Sequence, residues 1–173
     1  LESLGEELTG LYSKRHFKVR YQTDLSQRPP DDTYAAAVFT LDDIDGISEH
    51  LGHDATQQII RSLGSYINKH FGAVGGFSSR QTINEYATVL PYSDLEEANR
   101  IMEDFTRDFQ AHGIRGIEMQ GGEDNADDTC IEFSVLAGLA QGKPQIEIES
   151  VMEFARFNQK EIARFKCESG GKA

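Results

Sequence analysis

The chain has 173 residues, with 17 Lys and Arg against 29 Asp and Glu, a formal net charge of −12. That length predicts one domain with one sizeable core, and the acidic balance excludes a general nucleic-acid binder, whose phosphate contacts need clustered cations. Hydrophobic residues make up 38% of the chain, yet no apolar run approaches the ~20 residues that span a bilayer, and no secretory leader opens it.

The first residue is Leu1 rather than Met, so a fragment of a larger multidomain protein is expected. Cys130 and Cys167 form no C-x-x-C pair, which predicts neither a zinc site nor a disulfide framework. The expected setting is the cytoplasm, as a soluble protein or as the cytoplasmic part of a membrane-anchored one.

In chain order, Phe17, Tyr21 and Leu25 recur every four residues and predict a helix over 13–25. Arg28-Pro29-Pro30-Asp31-Asp32 breaks it into a loop. Residues 35–41, Ala-Ala-Ala-Val-Phe-Thr-Leu, read as a central strand covered on both faces. Ile59, Ile60, Leu63, Tyr66, Ile67 and Phe71 mark one face of a helix over 55–71. Residues 76–81 and 86–90 read as hairpin arms closing at Thr82-Ile83-Asn84, with Asn84 the expected left-handed residue.

Ser93-Asp94-Leu95-Glu96 has the form of a capping box. It opens a helix that carries Leu95, Ala98, Ile101, Met102, Phe105 and Phe109. Residues 114–120 and 131–140 are strand candidates on either side of an acidic turn at 121–128, and a last helix is predicted over 147–165. The fold class expected is an α/β (α+β) sandwich, helices on a mainly antiparallel sheet.

Four stretches carry a resemblance. Glu6-Glu7-Leu8-Thr9-Gly10-Leu11-Tyr12-Ser13-Lys14-Arg15-His16-Phe17 resembles the opening D-x-L-T-G-L-x-N-R-R-x-F. Leu41-Asp42 through Gly52-His53 resembles D-x-D-x-F-K-x-x-N-D-x-x-G-H. Arg80 through Pro91 stands where R-x-G-G-D-E-F-x-x-L-L-P would, and Ser93 through Ala98 begins the helix that follows. Together they resemble the GGDEF domain of diguanylate cyclases, clearly over 6–111 and faintly beyond, the A-D-x-A-L-Y-x-A-K helix being echoed over 155–165.

The resemblance implies a nucleotide-cyclase palm in which two carboxylates hold Mg²⁺ against GTP. Those positions fall at Thr40 and Asn84, both neutral, while Glu85 keeps the fourth place of the signature. The two glycines that let the hairpin approach nucleotide are Thr82 and Ile83, β-branched and poor at positive φ. The guanine-reading Asn and Asp become Ser48 and Gln57, and the inhibitory R-x-x-D becomes Ala73 and Gly76. Metal, base, turn and inhibitory positions depart together, which implies a degenerate domain with no catalytic or nucleotide-binding residues.

Other residues invite chemistry. Asp42, Asp43 and Asp45 read either as a metal cluster with Glu85 or as a solvated turn and helix start. His50 and His53 read as a ligand pair or as packing and capping, and Gln57 also completes a capping box from Asp54. Glu85 is expected to be exposed. The aromatic series Phe105, Phe109, Phe154, Phe157 and Phe165 reads as core or as a partner surface.

The function expected is a catalytically inactive signalling module in bacterial cyclic di-GMP signalling. It would act through a protein partner or self-association, beside a sensor or output domain, with no nucleic acid and no direct membrane contact. The alternative is a non-catalytic sensor of GTP or a cyclic dinucleotide; an active cyclase is the third reading. No cofactor is expected. Mg²⁺ enters only if activity survives, with Asp42 and Glu85 as its candidates.

Overall fold

A computed structural model of the chain describes residues 5–117 and 132–166. The elements run α1 (Lys14–Leu25), β1 (Tyr34–Leu41), α2 (Ile44–Gly72), β2 (Phe77–Thr82), β3 (Glu85–Leu90), α3 (Leu95–His112), β4 (Glu132–Gly142), α4 (Ile148–Phe157) and β5 (Lys160–Lys166). The strands form one sheet in the order β2-β3-β1-β4-β5, antiparallel throughout.

β1 is the middle strand, and the period of two along it divides the core. Ala35, Ala37, Phe39 and Leu41 face α2 and α3. Tyr34, Ala36 and Val38 face α1 and α4. Phe39 meets Phe71 and Phe105 edge-on at 5.4 and 5.2 Å between ring centres. On the other face the Tyr21 and Tyr34 hydroxyls lie 2.6 Å apart, and Tyr21 donates to the Ile146 carbonyl. Small residues let the helices lie close. At Gly138 of β4 an added Cβ would come within 2.0 Å of the Ala155 carbonyl oxygen of α4.

Several helix ends differ from the sequence reading. α2 begins at Ile44, because Asp43 caps it by accepting from the Gly46 N–H while adopting φ 61. The helical run then breaks at Gly52, whose φ of 90 suits a residue without Cβ. Asp54 therefore lies within the element rather than at its cap, and the Thr56 hydroxyl donates to the Gly52 carbonyl. For α3 the cap is Asp94, which accepts from the Glu97 N–H, so the box sits one residue later than Ser93.

Two elements differ from the sequence expectation. Residues 114–117 form a turn and its exit, not a strand. The expected helix over 147–165 ends at Phe157, capped at Asn158, and the chain turns back as β5 against β4. Ile162 and Phe165 thus belong to a strand, in which Ala163 and Phe165 alternate inward. The expected acidic turn, the strand residues 118–120 and 131, Cys130 and Cys167 lie outside the described residues. No helix among the described residues is long and apolar enough to cross a membrane.

Candidate functional site

The β2–β3 hairpin closes as expected, on Ile83 and Asn84, with Thr82 paired to Glu85. Asn84 does not take the left-handed conformation; Asp43 is the only non-glycine with positive φ among the described residues. A register shift between Arg80 and Thr82 absorbs the twist that a primed turn would otherwise supply. Arg80 then stitches the tip by donating through Nε and Nη2 to the Ile83 carbonyl at 3.3 and 3.0 Å. Its Nη1 reaches Glu6, whose carboxylate also accepts from Thr9 and the Leu8 N–H.

Strand parity decides which way the candidate residues face. Thr40 and Glu85 are cross-strand partners in the β1–β3 ladder. Thr40 follows the even residues of β1, and Glu85 follows Ala87 and Val89. Both therefore project toward α4. There the Gln159 side-chain amide donates to Thr40 Oγ1 at 2.7 Å and to the Val38 carbonyl at 3.3 Å. Arg156 donates to both Glu85 oxygens, through Nε at 2.7 Å and Nη2 at 3.0 Å. Glu85 is thus largely enclosed and paired, not exposed as expected; its side chain keeps 16% of its accessibility.

Asn84 turns its amide inward. Nδ2 donates to the Leu41 carbonyl at 3.1 Å, and Oδ1 accepts from the Thr82 hydroxyl at 3.2 Å. Its backbone carbonyl accepts from the Leu41 N–H. The hairpin is therefore fastened to the end of β1 by a donor that a carboxylate would lack.

The structure gathers Thr40, Thr82, Ile83, Asn84 and Glu85 at one end of the sheet and leaves the remaining candidates elsewhere. Asp42 is exposed just beyond β1, with its backbone N–H on the Ser134 carbonyl. Ser48 and Gln57 lie on α2, on opposite sides of the Gly52 break; Ser48 is exposed and Gln57 half-buried. Ala73 caps α2 and is exposed, and Gly76 leads into β2. His50 bonds the Gly46 carbonyl one turn back, and His53 is exposed. Among the described residues no group of three or more His, Cys, Asp or Glu is placed to hold a metal ion.

Arg156 and Gln159 were not among the candidates read from the sequence. The signal lay in the alternation of Ala163, Arg164, Phe165 and Lys166 after Asn158, which marks a strand and a turn that aims Gln159 back at β1.

A cleft of about 340 Å³ opens between α1, the hairpin and α4. Its charges balance: Lys14, Lys18 and Arg156 against Glu85, Glu149 and Glu153. Lys18 is spent on Glu149 at 2.8 Å, which holds that carboxyl below its usual range. Arg156 is spent on Glu85. The charged groups lining the cleft therefore carry no net formal charge.

The sequence matches the family profile described as "Diguanylate cyclase, GGDEF domain" over residues 5–129. The chain belongs to the GGDEF domain family. No curated protein matches it. Among solved structures it is similar to the GGDEF domain of DgcB from Caulobacter crescentus, solved in complex with c-di-GMP, with 21% identity, TM-score 0.69 and coverage of 91% of this chain and 85% of that one. The FimX GGDEF domain from Pseudomonas aeruginosa gives 15% identity, TM-score 0.71 and 91% coverage of each chain. The diguanylate cyclase SiaD of the same organism, in complex with its activator SiaC, gives 18% identity and TM-score 0.72 over 90% of this chain and 56% of that one. At these identities the likeness is one of fold.

Proposed function

We propose that the chain is a non-catalytic GGDEF module in cyclic di-GMP signalling, acting through protein contacts rather than making the dinucleotide. One observation carries this reading: Arg156 occupies both oxygens of Glu85, the one carboxylate left at the signature. Mg²⁺ is a hard cation that wants oxygen ligands and anionic charge. Thr40 and Asn84 supply no charge and are committed to Gln159, Leu41 and Thr82. These residues do not fit the ion.

In this reading Ser48, Gln57, Thr82, Ile83, Ala73 and Gly76 are vestiges of guanine, turn and inhibitory positions. The chain forms one domain, working in the cytoplasm beside a sensor or output domain. That a related cyclase, SiaD, is solved with a protein activator supports contact as a mode of action for this fold.

The test is incubation of the purified chain with GTP and Mg²⁺ or Mn²⁺. No cyclic di-GMP should form above a heat-killed control, and product above that control refutes the proposal. Calorimetry with GTP and with cyclic di-GMP is the companion measurement. Micromolar binding of either would replace the contact module with a ligand sensor.

A further inference from the structure

A second cleft, of about 360 Å³, lies between α2 and the turn that follows α3. Gln58, Arg61, Ser62 and Ser65 line one side of it, a stripe at helical spacing, while Ile59, Ile60, Leu63 and Ile67 of the same helix face the core. Gly113, Arg115 and Ile117 line the other side, where Gly116 takes φ 86 to turn the chain. Neither Ser48, Gln57 nor any hairpin residue is part of this lining.

In a chain of net charge −12, this lining holds two arginines and no carboxylate. Arg20, Arg28, Arg80, Arg156 and Arg164 each pair with a carboxylate. Arg61 and Arg115 make no ion pair among the described residues. Arg61 uses only Nε, which donates to the Leu8 carbonyl at 3.4 Å, so both of its terminal nitrogens remain for a ligand. The acceptors nearby are already engaged. The Gly113 carbonyl takes the Ser62 hydroxyl, and Asp108, to which His112 turns its Nδ1, is held by Lys69 and His70. Tyr66 adds a fixed apolar wall, edge-on to Phe109 at 5.5 Å between ring centres.

We propose that this cleft binds a small organic phosphate monoester. Arg61 and Arg115 hold the phosphate oxygens, the Ser65 hydroxyl is a further donor, and Tyr66 and Ile117 pack against the carbon skeleton of the ester. The planar guanidinium fork suits phosphate oxygens better than a point charge does. A monoester carries close to two charges above its second pKa of about 6, matching two guanidiniums, where a diester carries one. Both arginines are exposed, and water moderates the gain. The expected Kd is therefore about 0.1–1 mM. The site stands apart from the hairpin end and does not depend on whether the chain makes cyclic di-GMP.

Amide NMR titration of the whole chain at about pH 7.5 and constant ionic strength tests it. Phenyl phosphate should shift the Ser65, Gly113 and Arg115 amides saturably. Inorganic phosphate, which cannot touch Tyr66, should bind at least about threefold more weakly. Phenyl methyl phosphate, with the same ring and one charge, should show no saturation by about 10 mM. Arg61→Gln and Arg115→Gln should each weaken phenyl phosphate at least about fivefold. Arg107→Gln, at an exposed arginine of α3 paired with Asp104, should leave it unchanged. The absence of saturable shifts at the cleft overturns the proposal. So does equal affinity for inorganic phosphate or the diester, or indifference to both cleft arginine variants. The amide spectrum itself shows that each variant is folded.

Discussion

Arg156 and Glu85, 71 residues apart in the chain, meet through two hydrogen bonds of 2.7 and 3.0 Å, one to each carboxylate oxygen. A guanidinium fork on a planar carboxylate is stronger than a single neutral hydrogen bond and fixes direction as well as distance. It ties the C-terminal turn of α4 to the closing end of the hairpin, where Glu85 pairs with Thr82. The pairing also raises Arg156 above its usual range, the Glu85 hydrogen bond being the main cause.

The clamp should be measurable. Arg156 keeps 39% of its side-chain accessibility, which moderates the gain, whereas Glu85 keeps only 16% and would be left short of both partner and water. Arg156→Met is expected to cost about 1–2 kcal/mol. Arg156→Lys should recover only part of it, since an ammonium cannot make the fork. Urea denaturation of Arg156→Met, of Glu85→Gln and of the two together closes a double-mutant cycle. A coupling below ~0.3 kcal/mol would reduce the clamp to an ordinary surface pair.

Restoring the missing carboxylates should not restore a cyclase. Asn84→Asp removes the donor that holds the Leu41 carbonyl and sets a negative charge against that oxygen. The loss is expected to destabilise the hairpin end by about 1–2 kcal/mol. With Thr40→Asp beside it, two new carboxylates would repel one another, and Arg156 would still occupy Glu85. Calorimetric titration of the double variant with GTP and Mg²⁺ should show no binding. Micromolar affinity would mean that the pocket survives and only its charges were lost.

A third expectation concerns acid. Asp108 of α3 accepts from Lys69 at 2.7 Å, and lies 2.7 Å from His70 and 2.9 Å from His112. The Lys69 hydrogen bond, then those of His70 and His112, hold its carboxyl well below the usual range. A depressed folded-state pKa adds stability that is present above the ordinary carboxylate value and disappears as pH falls through the folded one. Asp108→Asn should therefore be less stable than the parent near pH 7, and the gap should shrink steadily below about pH 4. Paired thermal melts across that range are the measurement. A gap that stays constant into acid would show that Asp108 contributes no charge-dependent linkage.

The parts of the fold written in local pattern were legible from residues alone. Ala35 through Leu41 read as a central strand, and Phe17, Tyr21 and Leu25 as one helix face, and the structure places them so. The Thr82–Asn84 closure followed from the two strand-like arms around it. Failures clustered where a tertiary contact outweighs local preference. Asn84 stays out of the left-handed region because Arg80 and the β2 irregularity already close the turn. Asp43 enters that region because its side chain caps α2. The long final helix broke at Asn158 because β4 offers the next residues a strand to pair with, information that no window of sequence contains. The candidate site failed in the same way. Its family positions are legible by alignment, but Arg156 and Gln159 reach it from a helix end and turn that the sequence reads as continuous helix.

A metal ion held by carboxylates comes and goes, and its occupancy follows the concentration in solution. The guanidinium on α4 has no such freedom. Tethered by its own backbone, it sits at Glu85 at an effective concentration that no dilution lowers. On the non-catalytic reading proposed above, this tether takes the place of an exchangeable, ion-dependent junction, and chelator or added magnesium should leave the shape of the hairpin end the same.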